Sequence, residues 1–215
     1  MSRAKLFACR TLEDEVNTSL NDTVECEFLE YGLHNTPAKL QQELQQKIDA
    51  DSQHDLILLG YGLCSNGTAG LHSDRHTLII PRVHDCISLL LGSREYYQQE
   101  FFKCPGTYYL SSGWIRQQGD PLSSYRRYCD KYGEAKARMF MELEYANYKR
   151  IAFIQTVGER QEDLEYSRSV AAFLGLEHTV LQGSTGYVQN LVDGKWDEEF
   201  LVIHPGKTVL LEDFM

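Results

Sequence analysis

Cysteine and histidine are the residue types here best suited to chemistry, and Cys64, His84 and Cys86 each fall just beyond an apolar run that reads as a buried strand. In an extended segment, side chains two apart point the same way. His84 and Cys86 of the stretch PRVHDC are therefore expected to face one ligand together, with Asp85 turned away. Thiolate sulfur and imidazole nitrogen select zinc, iron or an iron–sulfur cluster over magnesium and calcium, which prefer oxygen. Cys64, His84 and Cys86 give a Cys2His set that resembles catalytic zinc with an open fourth position. Cys9, at the end of an earlier strand, is the fourth candidate; if it joins, the site is a closed Cys3His site. Zinc stands ahead of an iron–sulfur cluster because the closely spaced cysteine runs typical of clusters are missing.

These residues need elements to position them. The spacing predicts strands at residues 4–9, 23–33, 55–59, 77–83, 108–110, 150–157, 177–181 and 200–203. Helices are predicted over 37–50, 87–102, 123–147 with a break at Gly133, and 159–174, with further helical turns over 187–192. Residues 55–59 form a continuous apolar run of the kind buried on both faces of a parallel sheet. Strands alternating with helices, with no linker rich in Pro, Gly or Ser, predict a single α/β domain over residues 1–215. Its sheet is expected to be open and mostly parallel, with flanking helices in Rossmann-like layers. In such a sheet ligands bind outside the carboxyl ends of the strands, where Cys9, His34, Cys64, His84 and Cys86 are all expected to lie.

Each residue also has a plainer reading. Cys9 suits a small buried core position, and Cys26, Cys104 and Cys129 read as structural. His34 precedes Asn35, Thr36 and Pro37 and is equally suited to a helix start. Asp85 is placed to cap the helix beginning near Ile87, or to orient a ligand histidine. Arg82 and Arg94 are candidates to hold an anionic substrate, or to pair with surface carboxylates. Tyr108, Tyr109 and Trp114 read as core.

Composition removes several classes of function. The chain has 215 residues, 21 Lys and Arg against 31 Asp and Glu, and a net charge of −10. Without a basic stripe, nucleic acid and anionic membrane surfaces are not expected partners. No run of eighteen apolar residues exists and the first residues do not form a signal peptide, so a cytoplasmic location is expected. The six cysteines are then thiols or ligands, not a disulfide framework. No P-loop, G-x-S-x-G or H-E-x-x-H motif is present, and the segment GYGLCSNG lacks dinucleotide-fingerprint spacing. Asp74 and His76 match the start of the D-x-H-x-x-G signature of corrinoid carriers, but Ile79 replaces the glycine, so the chain is not read as a cobalamin carrier.

Four ordered motifs carry a family resemblance: GYGLCSNG at 60–67, PRVHDCISLLLGSREYY at 81–97, PGTYYLSSGW at 105–114 and GKWDEEFLVIHPG at 194–206. Through them the chain resembles the uncharacterised family catalogued as domain of unknown function 1638. The resemblance covers nearly the whole chain. It implies a neighbourhood of corrinoid-dependent methyl-transfer systems, with Cys64, His84 and Cys86 as the site. The expected function is a metal-dependent enzyme or accessory factor in one-carbon metabolism, with a small-molecule substrate or a corrinoid methyltransferase system as partner. The alternative is a non-catalytic binding module that uses its metal for folding.

Overall fold

The computed structural model describes residues 4–157 and 160–215. The run AKLFAC forms β1 (Ala4–Cys9), and two-residue alternation sends Leu6 and Ala8 to one apolar core and Phe7 and Cys9 to another. A 3-10 turn at Arg10–Leu12 leads into α1 (Glu13–Ser19), and β2 (Val24–Leu29) returns to pair in parallel with β1. Pro37 opens α2 (Pro37–Ala50), where its missing N–H costs nothing. This helix buries Leu40, Leu44 and Ile48, the stripe its spacing predicts. Next come β3 (Leu56–Gly60), the short β4 (His72–Ser73) and β5 (Thr77–Pro81).

Where one helix was expected over 87–102, the chain makes two, α3 (Cys86–Leu91) and α4 (Arg94–Lys103). Gly92 takes a left-handed conformation (φ 75°) that closes α3, and the Ser93 hydroxyl accepts from the Tyr96 amide to open α4. After β6 (Thr107–Leu110) and α5 (Ser112–Arg116), α6 (Pro121–Tyr132) and α7 (Glu134–Tyr145) separate at Gly133, as expected. The chain continues through β7 (Arg150–Gln155), α8 (Gln161–Leu174), β8 (Glu177–Gln182), α9 (Gly186–Asp193), β9 (Phe200–Ile203) and β10 (Lys207–Thr208). The expected start of α8 at Glu159 lies outside the described residues.

The strands make two principal sheets rather than one. The first has the order β2-β1-β3-β5-β9, parallel except for β9, which runs antiparallel against β5. The second is β6-β7-β8, wholly parallel, and β10 pairs with β4 in a small ribbon. One core lies between the sheets and joins Leu6, Leu58 and Ile79 of the first to Ala152, Ile154 and Leu181 of the second, through α1, α3 and α9. Each fully buried aliphatic side chain there contributes roughly 1.5–3 kcal/mol. The opposite face of the first sheet is covered by α2. Among the described residues, no helix is long and apolar enough to cross a membrane.

A buried carboxyl also ties the two sheets together. Glu15 of α1 is buried, accepts from the Thr156 hydroxyl just beyond β7, and leaves its Oε2 without a partner. Burial raises its pKa above 4.5, against the pull of the Thr156 hydrogen bond. A carboxyl bound more tightly by protons in the folded state adds stability below its ordinary pKa, and that contribution is lost as the pH rises through the folded value. Glu15→Gln is therefore expected to lack this component. Urea titrations at pH 4 and pH 7 should show a smaller stability difference between the two pH values arising from this site than in the parent chain.

Candidate functional site

The connections from β1 and β3 diverge. Through α1 the chain passes from β1 to β2 on one side of the sheet, whereas from β3 it goes on to β5 on the other. In an open parallel sheet this divergence leaves a crevice at the carboxyl ends, the position where ligands bind. Cys9 is the last residue of β1, Tyr61 to Cys64 follow β3 directly, and Cys86 is the first residue of α3 beyond β5.

Two glycines let the loop after β3 lie against its neighbours. A Cβ on Gly60 would stand 2.7 Å from the Ala8 Cβ, and one on Gly62 would stand 2.4 Å from the Val83 carbonyl oxygen. The close approach permits two backbone bonds: the Leu63 amide donates to Val83 at 2.8 Å and the Cys64 amide to His84 at 2.9 Å. Cys64, Ser65 and Asn66 then take three successive left-handed conformations, with φ of 47°, 56° and 71°. Such conformations are costly for residues with a Cβ, and persist only when the surroundings impose them. Here the Thr68 hydroxyl donates to the Gly62 carbonyl and the Gly67 amide to that of Cys64, closing the turn.

The result is a cluster of thiols. Cys9 and Cys64 are buried, at 7% and 8% exposure, and Cys86 is half-buried. Each of the three sulfurs lies within electrostatic reach of the others. Burial raises all three thiol pKa values, to about 12 at Cys64 and well above the ordinary value at Cys86; Cys9 and Asp85 add to the shift at Cys64, and Cys64, Asp85 and Cys9 to that at Cys86. At Cys9 a hydrogen bond from the Thr11 hydroxyl (3.1 Å to Sγ) opposes the rise. The Tyr61 ring is 3% exposed and its hydroxyl is buried with no hydrogen-bond partner. That hydroxyl feels the sulfurs of Cys9, Cys64 and Cys86 together, and burial raises its pKa well above 10. A buried polar group without a partner costs about 1–3 kcal/mol, and this one lies within electrostatic reach of all three thiols.

The other sequence candidates fall elsewhere. β5 ends at Pro81, and Asp85, extended at φ −154° and ψ 178°, caps α3, so His84 and Cys86 flank the helix start; the His84 side chain is exposed whereas Cys86 is half-buried. Asp85 Oδ1 accepts from the Ile87 amide at 2.9 Å, the capping role foreseen for it, and burial raises its pKa. The Arg82 amide donates to the Glu199 carbonyl at 2.7 Å, while its Nε is buried and unpartnered. Arg94 lines a separate cavity of about 300 Å³ with Tyr187 and Glu199. Among the described residues, no three His, Cys, Asp or Glu side chains already stand in an arrangement that could hold a metal ion. Placing one on Cys9, Cys64 and Cys86 therefore requires the side chains to turn toward it.

Beside the thiols lies a cavity of about 480 Å³. Ile87, next to Cys86, lines it, as does Tyr31, which also feels the sulfurs of Cys9 and Cys86. His34, half-buried in a 3-10 turn, sits in its wall edge-on to Tyr31, with ring centroids 5.5 Å apart; burial lowers its pKa. Tyr108, Tyr109 and Trp114, read from sequence as core, also line this cavity. Sequence reasoning missed Tyr61 and the cavity. For Tyr61 a signal existed in its place between two glycines of GYGLC. For the cavity there was none, because its walls come from residues 31–35, 87, 107–128 and 144–148.

An α/β protein with a thiol cluster at the switch point of a mostly parallel sheet is thus the class that fold and site define. A family described as "Protein of unknown function (DUF1638)" matches residues 28–192, the greater part of the chain, and the protein belongs to that family. The matched segment contains Tyr61, Cys64, His84 and Cys86, whereas Cys9 precedes it. No curated protein and no solved structure gives a significant match to the chain.

Proposed function

We propose that Cys9, Cys64 and Cys86 hold a soft metal ion, zinc, beside the tyrosine-lined cavity, and that the protein works as a metal-dependent enzyme or accessory factor in methyl-group transfer. The observation that supports the metal is the convergence of three thiols from three strand ends on one orphan buried hydroxyl, that of Tyr61. As free groups these thiols are protonated at neutral pH and poor nucleophiles. A bound soft cation would keep them deprotonated and supply Lewis acidity. The cavity lined by Ile87, the neighbour of Cys86 in the chain, favours a working site over a purely structural one, since it leaves room for a small-molecule substrate nearby. The link to one-carbon chemistry, and to a corrinoid methyltransferase system as partner, rests on the family resemblance.

Metal analysis and absorption spectroscopy on anaerobically purified protein test this. About one zinc per chain is expected in the parent protein, as for a single site, with most of it lost in Cys64→Ser and in Cys86→Ser. His84→Ala is expected to keep its metal, because that side chain is exposed; loss there would restore the Cys2His set. Metal that persists in both cysteine variants overturns the site. A brown chromophore would replace zinc by an iron–sulfur cluster on the same cysteines.

A further inference from the structure

The cavity beside the thiols carries its own chemical signature. Tyr108, Tyr145 and Tyr148 meet pairwise, with ring centroids 5.7, 5.5 and 5.7 Å apart and ring planes inclined at 60°, 71° and 42°. Rings at these separations touch one another and together form an aromatic part of the cavity lining. Trp114 and Tyr31 extend the lining. Burial holds the hydroxyls of Tyr31, Tyr108 and Tyr145 protonated well beyond neutral pH, so the walls are uncharged.

The rim carries one carboxylate and one guanidinium. Glu144 lines the cavity, is exposed, and accepts from the Tyr128 hydroxyl at 3.0 Å. Arg127 also lines it and keeps its charge, its Nη1 donating to the Gln118 carbonyl and its Nη2 to the Ser124 hydroxyl, both at 2.9 Å. Aromatic faces attract a cation through the ring quadrupole, and aromatic cages are the recurring means of holding methylated ammonium groups, whose charge is spread over methyls that cannot donate hydrogen bonds.

We infer that this cavity binds a methylated ammonium group, with Tyr108, Tyr145, Tyr148 and Trp114 as its cage and Glu144 as the anion at its mouth. Its volume, about 480 Å³, leaves room for the rest of a small molecule. That the bound group is presented to the metal rests on the reading of the thiol site given above, whereas recognition of the cation does not.

Choline and its uncharged carbon isostere, 3,3-dimethyl-1-butanol, differ in the charge and test the cage directly. Titration of the full chain, followed by calorimetry and by tryptophan emission, should show saturable binding of choline and at least about tenfold weaker binding of the isostere, the ratio set by a cation–π contribution of about 1.4 kcal/mol. Tyr148 is only half-buried, so its variants are expected to fold. Tyr148→Leu should weaken choline about tenfold while Tyr148→Phe, which keeps the ring face, stays within about threefold. Cys64→Ser should bind choline as the parent does, so failure of the metal site and failure of the cage are read separately. Equal affinity for choline and its isostere, absence of binding, or indifference to Tyr148→Leu overturns the inference.

Discussion

Glu100→Ala is expected to lower the unfolding free energy by about 3–5 kcal/mol, the usual cost of breaking a buried ion pair from one side. Glu100 and Arg150 are 8% and 7% exposed and meet at 2.6 Å. Arg150 Nε also donates to the Thr107 hydroxyl at 2.7 Å, and Nη2 reaches the Glu100 carbonyl at 3.3 Å. These contacts fix the end of α4 to the starts of β6 and β7. Removing the carboxylate leaves a guanidinium out of water without its counterion, which is the expensive state. A protein of this size has about 5–15 kcal/mol in all, so the single variant should sit near the edge of folding. The double variant Glu100→Leu with Arg150→Met removes both charges and should recover most of the loss, because a dry pair often contributes little over apolar residues of similar volume. Urea unfolding followed by circular dichroism measures both. A single variant that loses less than about 1 kcal/mol would show that the pair is solvated, as a surface pair is.

The second large effect is local and reaches the site. In Gly62→Ala the new Cβ would stand 2.4 Å from the Val83 carbonyl oxygen and 2.7 Å from its Cγ2. Neither atom is the free end of a flexible side chain, so the loop must lift. Overpacking of this kind costs about 1–3 kcal/mol, and the Leu63 and Cys64 amide bonds to Val83 and His84 would each forfeit about 1 kcal/mol more. Because Cys64 rides on that loop, the proposed metal site predicts markedly lower metal uptake in the variant than in the parent. Gly186→Ala is the control: its Cβ would meet little except the Ser184 hydroxyl at 3.2 Å, at the start of α9. It should unfold within about 0.5 kcal/mol of the parent. Equal stability and equal metal content in the two variants would show that the loop does not depend on the close approach.

What the sequence discloses here depends on how local the cause is. The stripe of Leu40, Leu44 and Ile48, the helix ends at Gly133 and Gly175, and the Asp85 cap follow from neighbours a few residues apart and are read without a structure. The break at Gly92 and Ser93 was written in the same local code but lay inside an apolar stretch, and periodicity outweighed it. Division into two sheets and the reversal of β9 depend on pairings between residues far apart, such as Ile80 with Leu201, which no local pattern encodes. Cys9, Cys64 and Cys86, placed beyond strand ends from the sequence, lie within electrostatic reach of one another. The chain is extended at Asp85, as the pairing of His84 with Cys86 requires, yet His84 is exposed where Cys86 is half-buried, a difference of burial that the spacing does not disclose. Tyr61 carried no signal beyond its flanking glycines, since an unsatisfied hydroxyl becomes visible only when everything around it is in place.

The antiparallel strand β9 has a further consequence, for the order in which the molecule is made. The first sheet draws on residues 4–81 and 200–203, and the whole second sheet, residues 107–182, is synthesised between them. While the chain leaves the ribosome, the β5 edge, with its buried Leu78, Ile79 and Ile80, stays uncapped until residues 200–203 arrive. An open apolar edge is a template for pairing with another chain. The nascent protein thus carries, through most of its synthesis, a sticky border that β9 is shaped to seal.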